Sequence, residues 1–187
     1  MRKKMLSGPL FRTIAVAASV AAAAVPLAGA AGRAEAAPHT AVVTSGGHFW
    51  SPPDMDITRA RVTYDARTGY LQVAITHRGS RTSRAFSETV ALTSTSIYRS
   101  GHSEPDGIHI TSSTSYPPSF YLTNGGAQSQ RGPVNVVRSG PVTTYTIVSP
   151  TTRGRTLRYL SVSANNGVVC ESMCMPGGEL DEQPLRL

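Results

Sequence analysis

The stretch that decides the fold runs from Asp56 to Gly79 and reads D-I-T-R-A-R-V-T-Y-D-A-R-T-G-Y-L-Q-V-A-I-T-H-R-G. Apolar residues alternate with polar ones on both sides of its centre, at Ala60, Val62 and Tyr64 and again at Leu71, Val73 and Ile75. A period of two is typical of a β-strand with one buried face. Between the two arms, Asp65 can accept backbone hydrogen bonds and Gly69 can adopt positive φ. The stretch therefore predicts a β-hairpin.

Further short apolar segments lie on both sides of this hairpin. They occupy 41–44, 86–93, 108–110, 120–122, 134–137, 142–148 and 156–164. Asn124-Gly125-Gly126 and Ser139-Gly140-Pro141 are turn sequences between them. No segment after residue 36 carries apolar residues at helical spacing over a length of several turns. We predict an all-β fold, an antiparallel two-sheet β-sandwich of about eight strands that forms one domain over 37–187.

Glu88 conflicts with this pattern, because it shares the parity of Phe86, Val90 and Leu92 in its strand. An unpaired carboxylate on a buried face would be costly. The sequence therefore predicts that Glu88 either lies at a frayed strand start or pairs with an arginine.

The N-terminal segment has the pattern of an export signal. Arg2, Lys3 and Lys4 precede an alanine-rich apolar run at 14–25, and Ala34-Glu35-Ala36 follows it. This order predicts a cleavable signal peptide over residues 1–36 and a secreted, extracellular protein without stable membrane insertion after cleavage. A retained membrane anchor is the alternative.

Cleavage would change the charge of the protein. Five of its 18 basic residues and one of its 11 acidic residues lie before residue 37, so 13 basic and 10 acidic side chains remain. The high pI of the whole chain is then largely an export feature, and we predict no nucleic-acid partner. All of the remaining basic residues are arginines, which together with the abundant alanine indicates a GC-rich bacterial genome.

Cys170 and Cys174 are the only cysteines in the chain. In an exported protein, two cysteines in a loop rich in Pro and Gly predict a disulfide. The alternative is a copper-handling site in which Met173 and Met175 supply thioether ligands. The C-x-x-x-C spacing is similar to the ligand pair in the binuclear copper domain of cytochrome oxidase subunits, but the histidine that follows the second cysteine there is missing here.

Two further groups of residues could serve metal binding or catalysis. Asp54 and Asp56 precede the first arm of the hairpin, where carboxylates of this kind hold calcium in many secreted sandwiches. Carboxylates at that position also cap backbone amides, which is the alternative. The five histidines show no metal-binding spacing, and the chain has no G-x-S-x-G motif. We therefore predict a non-catalytic protein and keep a small secreted hydrolase as the alternative.

Four aromatic residues near loops are candidate ligand-binding residues: Trp50, Tyr98, Tyr116 and Tyr121. Exposed rings at the edge of a sandwich stack on sugar faces or pack into protein interfaces. The alternative is that each ring serves core or turn packing.

The pattern D-x-D-I-x-x-x-x-V-x-Y-D-x-x-x-G-x-L-x-V-x-I at 54–75 resembles the opening strands of secreted actinobacterial β-sandwich proteins. It is more distantly similar to carbohydrate-binding family 9 and DOMON-like sandwiches. The resemblance implies a non-catalytic domain that binds sugar, haem or a cell-surface partner. We therefore expect a secreted binding or interaction module whose partner is an extracellular glycan or protein.

Overall fold

The computed structural model describes residues 38–45, 52–80, 87–98, 104–165 and 178–187, the last range without the side chains of 178–181. All of them belong to one compact unit, Ala36–Leu187. Within these residues no helix has the length and hydropathy that crossing a membrane requires.

The described residues form eleven β-strands in two antiparallel sheets. The strands are β1 (His39–Thr44), β2 (Ile57–Asp65), β3 (Tyr70–His77), β4 (Ser87–Thr93), β5 (Gly107–Ser113), β6 (Ser119–Asn124), β7 (Ala127–Pro133), β8 (Asn135–Ser139), β9 (Val142–Val148), β10 (Tyr159–Asn165) and β11 (Gly178–Pro184). A single 3-10 turn at Pro150–Thr152 is the only helical element described. The predicted all-β sandwich is confirmed, with more strands than expected.

One sheet has five strands in the order β1-β2-β3-β9-β8, and the other has six in the order β11-β10-β4-β5-β6-β7. The chain changes sheets between β3 and β4, between β7 and β8, and between β9 and β10. The predicted hairpin is β2 and β3, which pair with Val62 opposite Val73 and Tyr64 opposite Leu71. The predicted turns at Asn124 and Ser139 join β6 to β7 and β8 to β9.

The core lies between the two sheets and takes every second residue of the central strands. Its largest fully buried side chains come from both sheets and include Leu71, Ile75 and Tyr145 from the five-stranded sheet and Leu92, Ile110 and Leu122 from the six-stranded sheet. Because the inner faces are occupied by packing, polar side chains collect on the outer faces and in the loops.

The β2–β3 turn is fastened to the connection between β9 and β10. The hydroxyl of Thr152 donates a hydrogen bond to the carbonyl of Gly69 at 2.7 Å, and the amide of Gly154 donates to the carbonyl of Ala66 at 2.8 Å. Gly69 has φ of +76°, and a Cβ added there would lie 2.0 Å from the carbonyl oxygen of Ser149. Glycine is therefore required at this position for two separate reasons.

We expect Gly69→Ala to lower the free energy of unfolding by at least about 3 kcal/mol, because left-handed strain alone costs about 1–3 kcal/mol and the clash with Ser149 adds to it. Gly125→Ala is the matched control, since Gly125 has φ of +58° but no neighbour within 4 Å of an added Cβ. This control should lose only about 1 kcal/mol. Urea unfolding of the two variants measures the difference, and equal losses would contradict the role assigned to the clash.

Candidate binding groove

The outer face of the six-stranded sheet is rich in small hydroxyl side chains. Along β4 and β5 the residues between the buried ones are Ser87 and Thr89 and then Thr111 and Ser113. Ser119 of β6 lies opposite Thr111, and their hydroxyls are 3.3 Å apart. Successive side chains of a strand point to opposite faces, so these residues share the outer face. The outer face of the sheet therefore carries many hydrogen-bonding groups.

A groove of about 380 Å³ runs over this surface. Six serine and threonine residues line it, namely Ser87, Thr89, Thr111, Ser112, Ser113 and Ser119, and the other lining residues are Tyr116, Pro117 and Arg131. We call it the hydroxyl groove. None of its lining residues is an Asp or a Glu.

Tyr116 lies in the connection between β5 and β6, at the end of the hydroxyl groove. The hydroxyl of Ser113 accepts hydrogen bonds from the amides of Ser115 at 3.0 Å and Tyr116 at 3.1 Å. These bonds fix the backbone of the connection while the side chain of Tyr116 stays exposed. The ring is thus presented to solvent on a fixed support.

Arg131 reaches the hydroxyl groove from β7 because of a β-bulge. The pairing of β6 with β7 shifts between Tyr121, which lies opposite Arg131, and Leu122, which lies opposite Ser129. Gln130 is the extra residue, and its φ of +41° lies in the left-handed region. If the register of the β6–β7 turn continued without the bulge, Gln130 would lie opposite Tyr121 and Arg131 would face the core. The bulge places Arg131 on the outer face instead.

Next to Arg131, the rings of Tyr121 and His109 are stacked, with centroids 4.8 Å apart and planes inclined by 7°. This distance equals the spacing of neighbouring strands, so the rings stand side by side on the sheet rather than flat against it. Burial lowers the pKa of His109. Burial, followed by the nearby carboxylate of Glu104, raises the pKa of Tyr121. Both rings are therefore mainly neutral at pH 7.

One of the four predicted aromatic residues, Tyr116, lines the hydroxyl groove. Tyr121 stands on the same outer face of β6, opposite Arg131, but does not line the groove. Tyr98 follows the opposite end of β4, and the amide of the neighbouring Ile97 donates to the carboxylate of Glu182 on β11, at the far edge of the sheet. Trp50 lies outside the described residues.

The predicted metal ligands are only partly described. Asp54 and Asp56 are buried, and Oδ2 of Asp56 lies 3.2 Å from Nε of Arg78, so this carboxylate has a cationic neighbour in the protein. Among the described residues no group of three or more potential metal ligands comes together. Cys170 and Cys174 lie outside the described residues, and both the disulfide and the copper site stay predictions.

Neither alternative predicted for Glu88 is correct, because this residue is paired with strands on both sides and its side chain contacts a histidine instead of an arginine. Glu88 is fully buried at the start of β4, and its Oε2 lies 2.9 Å from Nε2 of His77 at the end of β3. Since β3 and β4 belong to different sheets, His77 reaches Glu88 across the space between them. Burial and then the Glu88 carboxylate raise the pKa of Tyr145, which keeps its phenol protonated.

This buried cluster is unsuited to catalysis on an external substrate. The side chains of His77 and Glu88 are 5% and 0% exposed, so neither reaches a substrate in solvent. The cluster instead links the sheets, and Ser112 connects it to the surface by accepting a hydrogen bond from Arg138 at 3.0 Å. We assign it a structural role.

A larger pocket of about 530 Å³ lies near the β2–β3 turn and the C-terminal residues. Two of its polar side chains, Tyr64 and Arg155, form hydrogen bonds within the protein, although Nε of Arg155 is buried without such a partner. The phenol of Tyr64 donates to the carbonyl of Thr152 and accepts from the amide of Arg155. The Arg155 guanidinium donates to the carbonyl of Thr123 and to Oδ1 of Asn124. These bonds join loops to one another, which makes the hydroxyl groove the stronger candidate for a ligand site.

No protein-family model, no curated protein and no solved structure matches this chain. The resemblance at 54–75 to family 9 and DOMON-like sandwiches therefore stays a prediction.

Two substitutions test the buried pair, His77→Leu and Glu88→Leu. Each single change should lower the free energy of unfolding by about 3 kcal/mol, because it leaves the other polar group buried without its partner. The double variant should lose clearly less than the sum of the two, since apolar side chains then replace the whole pair. Urea unfolding of all four proteins gives the coupling energy, and additive losses would show that the two side chains do not depend on each other.

Replacement of Gln130 tests the strain in the bulge. Gln130→Gly should raise the free energy of unfolding by up to about 1 kcal/mol, because glycine adopts positive φ without a Cβ penalty. Gln128→Gly, in the same strand without positive φ, is the control and should destabilise. Thermal unfolding measures both, and a destabilised Gln130→Gly would contradict the strained conformation.

Proposed function

We propose that this chain is a secreted, non-catalytic module that binds an extracellular glycan in the hydroxyl groove. The observation that carries the proposal is the combination of five outward-facing serine and threonine residues, Ser87, Thr89, Thr111, Ser113 and Ser119, with the exposed Tyr116 in one open groove. Residues 1–36 would direct export, as their pattern predicts.

The chemistry of the groove suits a saccharide. Sugar hydroxyls both donate and accept hydrogen bonds, and serine and threonine hydroxyls do the same because they rotate to suit the partner. The apolar face of a sugar ring packs on an aromatic side chain, and Tyr116 offers one at the end of the groove. A sugar chain can therefore satisfy the polar groups and the ring together.

The composition of the groove also favours binding over hydrolysis. Cleavage of a glycosidic bond generally uses two carboxyl groups on either side of that bond. The lining residues of the hydroxyl groove include none, and Glu88 lies in the core beneath the sheet. A ligand in the groove would thus be held without being cut.

Tyr116→Ala should weaken glycan binding about threefold to tenfold, the effect of losing one aromatic contact. Tyr98→Ala is the matched control, because the two tyrosines are similarly exposed, at 77% and 73%, and lie at opposite ends of β4. Affinity electrophoresis in gels containing xylan, mixed-linkage glucan, galactomannan or polygalacturonate measures retardation of each protein. Retardation by none of these polymers, or equal losses in the two variants, would overturn the proposal.

A further inference from the structure

We propose that the hydroxyl groove selects acidic saccharides, with the Arg131 guanidinium binding the carboxylate of a uronate unit. This inference rests on the proposed function and names the class of glycan. Three observations support it: the position of Arg131, the lack of an ion pair to Arg131 among the described residues, and the nearby Tyr116.

The first argument is the way the backbone places Arg131. The β6–β7 turn sets a register in which this residue would point into the core, and a bulge at Gln130 with φ of +41° turns it outward. A non-glycine residue at positive φ is a strained conformation, and bulges commonly re-aim a side chain beside a functional site. The strained residue, Gln130, is therefore in β7, the strand that places Arg131 at the groove.

The second argument is that Arg131 has no ion-pair partner among the described residues, although the carboxylate of Glu104 lies near the side chain of Tyr121, which is opposite Arg131. Its Nη2 donates to the neutral side-chain oxygen of Gln128 at 3.2 Å. In the described part of the chain no carboxylate forms an ion pair with Arg131, and none lines the groove. The guanidinium fork is matched to two oxygens of one carboxylate, which it binds through parallel hydrogen bonds.

The other charged groups close to these strands are engaged in the interior. Arg138 of β8, in the other sheet, donates a hydrogen bond at 3.0 Å to the hydroxyl of Ser112, which is buried on the inner face opposite Glu88. The nearby Glu88 carboxylate is buried, and His77 lies within hydrogen-bond distance of it.

Tyr116 favours a uronate over a phosphate polymer. A singly charged phosphodiester presents two oxygens to an arginine just as a carboxylate does. A poly(glycerol phosphate) chain, however, has no sugar ring to pack on an exposed tyrosine, whereas every unit of a polyuronate has one. The ring and the cation together fit an acidic sugar.

The test compares Arg131→Gln with Arg61→Gln. Both remove one exposed positive charge, but Arg61 lies on the outer face of the other sheet, opposite Ala74 of β3. The ligands are polygalacturonate, fully methyl-esterified polygalacturonate and poly(glycerol phosphate), so that the first pair differs only in the carboxylate charge. Isothermal titration calorimetry at low and high salt measures affinity, and circular dichroism checks that each variant is folded.

We expect the unaltered protein and Arg61→Gln to bind polygalacturonate with similar affinity, and Arg131→Gln to bind it about tenfold more weakly with a smaller salt dependence. The methyl ester should bind weakly to all three proteins. Equal binding of the ester and the acid by the unaltered protein would overturn the selectivity but leave glycan binding intact. Preference for poly(glycerol phosphate) that survives Tyr116→Ala would overturn the uronate and glycan binding together, as would the lack of binding to any saccharide.

Discussion

The whole structure depends on the mutual burial of two apolar sheet faces. Each sheet hides its inner face only against the other, so Leu71 and Ile75 of one sheet need Leu92 and Ile110 of the other to exclude water. This constraint occupies every second residue of the central strands. The remaining positions face outward, and there the sequence is free to place hydroxyls, rings and charges. The hydroxyl groove is such a set of free positions on β4, β5 and β6, completed by a residue from β7.

The buried pair of His77 and Glu88 is the main exception to this division. A carboxylate between two sheets is costly unless hydrogen bonds replace its hydration. Oε2 of Glu88 has such a partner in His77 of the opposite sheet, and Tyr145 of β9 lies close to the same carboxylate, whose Oε1 has no hydrogen-bond partner. The arrangement can form only when β3 and β4 stand in their native positions, so it favours one alignment of the sheets over others that would bury the same apolar area. Through Ser112 it also anchors the floor of the groove.

The sequence predicted what depends on alternation and turns. The β2–β3 hairpin and the turns at Asn124 and Ser139 follow from local chemistry, and the structure has them. It did not predict β7 or β11, because A-Q-S-Q-R-G-P and G-E-L-D-E-Q-P lack alternation and both strands lie at a sheet edge with one neighbour. Tyr116 and Tyr121 could be selected by residue type. Arg131 could not, because its direction depends on the bulge, and the serines and threonines of the groove become a set only when three strands are in register.

The position of the bulge explains why the groove has its cation at an edge. The residue opposite Phe120 has to be a glycine, and Gly132 is in that place; a Cβ on Gly132 would come within 2.4 Å of the Phe120 ring. The β6–β7 turn fixes a register one residue away from this pairing, so one residue must leave the ladder. In a central strand an extra residue would disturb hydrogen bonds on both sides, whereas β7 has a neighbour only in β6. The bulge that pairs Gly132 with Phe120 therefore also turns Arg131 towards the groove. The direction of this surface arginine thus depends on how Phe120 packs in the core.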